Sequence, residues 1–348
     1  LGLALEASRF VAFLHRAVLS VKKFSETANY RLQPIRTRAA SGAQRAPYMR
    51  PSSLRREAVM RQFRLGALAA ALALAAPASL AQPAAVVEGV QMPAWVEREG
   101  RAQPLAPGME LRSGDQLKTG AGSRAMIKLA EGSLVKLGEN GALKLSEIKP
   151  QREGIFRAAL RVVEGAFRFT TDVLAKQRRR EVSIQVATVT AGIRGTDLWG
   201  KSAPDRQIVC LIEGKIDVGA EGEKPVTMDQ PLQFYRREKG QTQPVGFVSP
   251  EQLKIWSAET EIEAGRGAAR RGGRWKVTLA SAETQAAALA LYDRLHAGGF
   301  AAEIRPAKVG EKLLYHVRIS SLPTREEAEA LAARLRGQHG VAEPKVSL

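Results

Sequence analysis

Forty residues apart, the C-terminal part of the chain carries the same pattern twice. Trp275, Val277, Leu279, Ser281, Thr284, Ala288, Leu291 and Leu295 are answered by Tyr315, Val317, Ile319, Ser321, Thr324, Ala328, Leu331 and Leu335. Each copy opens with apolar residues at alternate positions, the spacing of a half-buried strand, and then changes to helical spacing. A strand feeding a helix satisfies both periods in turn. Short strand-like runs at Ala301 to Pro306 and Glu343 to Ser347 complete a βαββαβ order over residues 272–348. That order predicts a small ferredoxin-like α+β unit, with both helices on one face of a four-stranded antiparallel sheet and the other face bare.

Residues 86–235 read as all-β. Short apolar runs such as Ala94 to Glu99, Gln116 to Thr119, Arg124 to Leu129, Ala159 to Val163, Ala166 to Thr170 and Gln207 to Ile212 lack helical periodicity. Gly114-Asp115, Glu131-Gly132, Glu139-Asn140-Gly141, Glu164-Gly165 and Glu213-Gly214 can each supply the positive φ of a tight turn. Strands this short and numerous predict a sandwich or a coiled solenoid of strands. Residues 249–264 predict one helix, with Ser249 as N-cap, Pro250 in the first turn and Leu253, Trp256 and Ile262 as its apolar side. Residues 265–273, rich in Gly and Arg, read as a flexible linker that lets the two domains move independently. The single cysteine, Cys210, sits in the apolar run Ile208 to Ile212 and is expected to be a small buried hydrophobe.

A formal charge of +18 invites a nucleic-acid reading. The distribution of the charge argues against it. From Met60, a basic stretch with Arg61 and Arg64 leads into the apolar run Leu65 to Ala76 and the small residues Ser79-Leu80-Ala81. Residues 60–81 therefore read as a secretory signal peptide cleaved after Ala81, and 1–59 as a disordered over-extension upstream of the true start. Together these segments hold 13 of the 53 Lys and Arg and 3 of the 35 Asp and Glu, so residues 82–348 carry only +8. The expected location is the periplasm, with no stable membrane span after cleavage and no nucleic-acid partner.

Within the β region, Gly114-Asp115-Gln116-Leu117-Lys118-Thr119, Glu131-Gly132-Ser133, Val163-Glu164-Gly165, Val189-Thr190-Ala191-Gly192-Ile193-Arg194-Gly195-Thr196 and Ile212-Glu213-Gly214-Lys215-Ile216 resemble the FecR-type periplasmic domain. The resemblance implies a β-rich envelope module for interaction or sensing, with an envelope protein as a partner it could take. In the repeat, Trp275 to Ser281, Tyr315 to Ser321 and the run from Thr324 to Gly337 resemble the SPOR domain. That resemblance implies binding of peptidoglycan, preferably glycan strands stripped of stem peptides; enrichment at the septum would point to a cell-division role, and division, envelope integrity and signalling all stay open. The usual Gln is replaced by Thr278, the usual Gly by Ala280 and Ser320, and the usual Phe by Ala282 and Leu322.

Strand parity independently proposes a binding face. Val277, Leu279, Ile304, Val317 and Ile319 must meet the helices, which turns Lys276, Thr278, Glu303, Arg305, His316 and Arg318 to the open side. Of these, Lys276, Thr278, Arg305, His316 and Arg318 are the candidate peptidoglycan contacts, because cations and donors suit sugar hydroxyls, acetamido groups and lactyl carboxylates. Trp275 and Tyr315 share the parity of the core and are expected to pack there. RNA-recognition domains have the same topology but place aromatics on the open face, and here there are none. Gly192-Ile193-Arg194-Gly195 reads as a structural turn, and the Lys176 to Arg180 charge run as a solvated loop tip. No Cys-x-x-Cys, His-Glu-x-x-His or Gly-x-Ser-x-Gly is present, so no catalytic residues, metal site or cofactor are expected. The sequence thus predicts a non-enzymatic, exported cell-envelope protein that binds glycan through its C-terminal domain; the alternative is a periplasmic signalling or scaffold protein without glycan binding.

Overall fold

The computed structural model describes residues 83–348, apart from 153, 154, 172–178 and 194. The expected signal peptide, the segment 1–59 and most of the Lys176 to Arg180 run lie outside the described residues.

The β module is built of two sheets. In one, Ala85–Gln91, Arg124–Leu129, Leu134–Leu137, the second part of Ile155–Thr170, Asp197–Ala203, Arg206–Glu213 and Gln233–Glu238 follow one another antiparallel. In the other, the order is Ala94–Arg98, Gln116–Thr119, Ala142–Arg152, the first part of Ile155–Thr170, Arg179–Val186, Val189–Ile193 and Ile216–Ala220. The chain visits the layers alternately, one or two strands at a time, which gives a sandwich that advances like a coil. Ile155–Thr170 belongs to both sheets: Glu164 still pairs with Ala142, whereas Gly165 pairs with Ser202 of the other layer. Gly165 has φ +87°, and a Cβ there would lie 2.6 Å from the Gly141 Cα, so only glycine lets the strand pass between layers. The Glu164-Gly165 pair is therefore a bend inside one long strand and not a turn between two. Likewise Gly192 and Ile193 finish the strand Val189–Ile193, and the positive φ falls at Gly195.

Phe156, Phe167, Phe169, Leu117, Ile127 and Val209 fill the space between the sheets. A smaller cluster lies on the outer face of the first sheet, where Ala166, Trp199, Ile208, Cys210 and Val248 gather beneath Trp256 and Leu253 of helix α1, Pro250–Ala258. Trp199 and Trp256 stack with centroids 4.8 Å apart, a contact that fixes α1 across the sheet. Ser249 caps α1, accepting from the Gln252 N–H at 3.1 Å, as the sequence predicts.

The helix ends at Ala258, short of the expected 264, because the next residues engage in a different way. Glu259, Glu261 and Glu263 are paired in turn with Lys201 at 2.7 Å, with Lys136 at 2.6 Å and Arg168 at 3.2 Å, and with Arg124 at 3.6 Å. Between them Ile262 approaches Gly89, where a Cβ would come within 3.1 Å of it. The segment 265–273, expected as a free tether, continues this attachment. Ala269–Arg270 pairs antiparallel with Val90 and Gly89 of the first strand, and the Arg271 N–H donates to the Glu88 carbonyl at 2.9 Å. The Glu327 carboxylate accepts from the backbone N–H groups of Gly265, Gly267 and Ala268 at 2.7, 2.7 and 2.9 Å. Glycine is needed at 267, where φ is +78° and a Cβ would lie 2.8 Å from the Leu331 backbone. Composition suggests flexibility, but these hydrogen bonds, with Gly267 to Ala269 buried, tie the backbone to both modules.

The C-terminal unit has the predicted order: Trp275–Ala282, α2 at Gln285–Ala297, Glu303–Val309, Lys312–Leu322, α3 at Arg325–Leu335 and Lys345–Ser347. Thr284 and Thr324 cap the two helices through Ala287 and Glu327 N–H groups. Val277, Leu279, Val317 and Ile319 are buried against Ala288, Leu291, Leu295, Ala328, Leu331 and Leu335, and Trp275, Ile304 and Tyr315 pack at the margin of that core. The core is continuous with that of the β module through Met92, Ala269 and Phe300. Across the junction, Ala94 N–H donates to the Gly299 carbonyl at 3.1 Å, Trp95 Nε1 to that of Ala297 at 3.4 Å, and the Arg334 guanidinium to those of Met92 and Arg266. Gly299, at φ +78°, lies so close to the Trp95 indole that a Cβ would sit 2.6 Å from it.

Candidate functional site

The four strands of the C-terminal sheet lie in the order Glu303–Val309, Lys312–Leu322, Trp275–Ala282, Lys345–Ser347. Their register sets one row of side chains across the whole sheet: Glu303 is opposite Arg318, Arg318 opposite Thr278, and Thr278 opposite Lys345. A second row runs Arg305, His316, Ser281. The helices occupy the other face, where the buried residues of odd parity point. The register thus brings Thr278, Arg305, His316 and Arg318 into two adjacent rows, with Lys276 two residues from Thr278 and opposite Ser347.

The charges on this face are not free equivalents. Glu303 accepts from Arg318 Nε at 2.9 Å, from Ser320 Oγ at 2.5 Å and from Arg305 Nε at 2.8 Å. Burial alone would raise its carboxyl, but these three donors outweigh it and hold the group below the usual carboxylate range. Arg318, with a side chain only 27 % exposed, is therefore a fixed group, whereas Arg305 is 60 % exposed. His316 Nδ1 shares a hydrogen bond of 2.7 Å with Ser281 Oγ, which orients the ring.

Three residues of the face escaped the parity reading. Ser281 joins it because the strand carries a bulge between Thr278 and Ala280, which reverses the alternation beyond Leu279. Ser320 joins it through its hydrogen bond to Glu303, and Lys345 from a strand of three residues, too short to show a period.

The first row runs into a cleft of about 330 Å³ between the modules. Gln103, Ala106 and Met109 line it from the β module, and Tyr292, His296, Glu303 and Ser320 from the C-terminal unit. Cys210, by contrast, is buried in the outer cluster, and burial pushes its thiol up to about 12, which leaves it inert at neutral pH. Among the described residues no group of three His, Cys, Asp or Glu is placed to hold a metal ion, and no helix is long and apolar enough to cross a membrane.

The fold is a two-layer β module joined to a βαββαβ unit with a bare polar sheet face, and comparison with known families says which classes of domain these are. Residues 115–217 match the FecR protein family and residues 272–343 the SPOR domain, so the chain carries a FecR domain followed by a SPOR domain. The first is a signalling-related module, the second a peptidoglycan-binding one, and neither is a catalytic type. Two crystal structures of a proposed anti-sigma factor from Parabacteroides distasonis ATCC 8503 also align. One, at 12 % identity, covers 57 % of this chain and 98 % of its own with a TM-score of 0.34; the other, at 13 %, covers 63 % and 89 % with the same score. No curated protein matches.

Proposed function

We propose that this is an exported, non-enzymatic protein of the periplasm that holds peptidoglycan glycan strands on the open sheet face of its SPOR domain, through Lys276, Thr278, Arg305, His316 and Arg318, while the FecR domain engages an envelope protein. The observation that carries the reading is the row Lys345, Thr278, Arg318, Glu303, which crosses all four strands on the face the helices leave bare. Cations and hydroxyl donors at strand spacing suit a linear polymer of N-acetylated sugars bearing lactyl carboxylates, and the absence of aromatics in these rows disfavours stacked bases.

Each contact is worth about 0.5–1.5 kcal/mol, so one substitution should weaken binding only several-fold. Changing Lys276, Thr278 and His316 together to Ala should abolish co-sedimentation with purified sacculi at an unchanged melting temperature, since none belongs to the core. Parent-like sedimentation by the triple variant would falsify the face assignment.

A further inference from the structure

We propose that the cleft between the two domains is a second part of the glycan site and takes the terminal sugar of a strand, so that the FecR domain contributes to recognition. The inference rests on the sheet-face reading above. Its starting point is continuity. Glu303 ends the row that crosses the sheet and also lines the cleft, beside Ser320, with Gln103, Ala106 and Met109 of the β module forming the opposite side. A linear ligand lying along Lys345, Thr278 and Arg318 reaches the cleft at Glu303, where its last sugar would have residues of both domains around it.

The volume and chemistry agree with a sugar. About 330 Å³ is at the small end of ligand pockets, enough for a sugar residue and too little for a length of polymer. Glu303, kept ionised by Arg318, Arg305 and Ser320, is an acceptor for the hydroxyl that only a chain end exposes. Tyr292 and His296, with ring centroids 5.2 Å apart, offer flat surfaces to the C–H face of a pyranose. Ala106 and Met109 offer an apolar seat for an acetamido methyl, and Gln103 can both donate and accept beside it. The cleft persists because the two domains are fixed to each other by the contacts of Met92, Ala94 and Trp95 with Gly299, Ala297 and Arg334.

The test uses the whole protein and a peptide-free glycan tetrasaccharide, titrated by calorimetry alongside sedimentation with sacculi. The parent should bind the tetrasaccharide. Ala106→Trp, which fills the cleft from the FecR side, should weaken this by about tenfold or more, and Gln103→Ala by about threefold, both with parent-like melting. Tetrasaccharide binding by Gln103→Ala and a folded Ala106→Trp that equals the parent's would overturn the inference, as would a parent that binds sacculi but not the tetrasaccharide. In either case loss of sacculus binding by the Lys276, Thr278, His316 triple variant leaves the sheet-face reading standing. If that variant binds as the parent does, the reading itself has failed.

Discussion

At the scale of single residues, the C-terminal sheet separates side chains that hold the fold from those that can be spent on a ligand. Val317 is fully buried between the sheet and its helices, so Val317→Asp places an unpaired charge in the core, at a cost of several kcal/mol, and should sharply lower the midpoint of the protein's urea transition. Glu303 makes a subtler case. Its folded-state carboxyl is held below the ordinary range, so its pairing with Arg318 and Arg305 contributes stability above the unfolded value of about 4.3 and loses it as pH falls through the lower folded value. Glu303→Gln should therefore melt below the parent at pH 7, and the gap should close below about pH 4. Much of this face could be read from alternation alone, because Val277, Leu279, Val317 and Ile319 are apolar and their neighbours polar. Ser281 could not: a bulge changes which face a residue takes without changing the residue types that flank it.

At the scale of elements, the repeat predicted the order of the SPOR domain because each strand and helix there carries its own period. The stretch after α1 misled for a physical reason. Glu259, Glu261 and Glu263 alternate like a strand, but their partners Lys201, Lys136, Arg168 and Arg124 come from four strands of a sheet assembled far earlier in the chain. Local pattern cannot reveal such non-local pairs. The Gly-rich stretch that follows is fastened by Glu327, which stands three residues after the cap Thr324 yet turns its carboxylate outward to three N–H groups of 265–268. Glu327→Ala leaves those donors without an acceptor and should cost at least about 2 kcal/mol, measured by urea denaturation of the whole protein. The Gly165 crossing was equally hidden, since a Glu-Gly pair within a strand looks like one between strands.

At the scale of the whole molecule, a core that runs unbroken from Val209 to Leu331 predicts one unfolding transition in place of two. Trypsin has Arg266, Arg271 and Arg274 before it at the junction, side chains well exposed, but the backbone there is held by Glu88, Glu327 and Arg334. Cleavage at these arginines should therefore wait for global unfolding, and an early cut that yields two stable fragments would show the domains to be separable. The pairing of Ala269–Arg270 with the first strand has a mechanical side. In a molecule seated on the cell wall, tension on the SPOR domain would pass through that two-stranded junction into Ala85–Gln91, beside the point where the chain enters the β module. The strand Gln233–Glu238, paired with Arg206–Glu213 on one side and with Gln241–Thr242 and Gly246–Phe247 on the other, lies toward the opposite end of that sheet. It would be presented at a constant height above the glycan, as a stiff post presents its head and a slack leash does not.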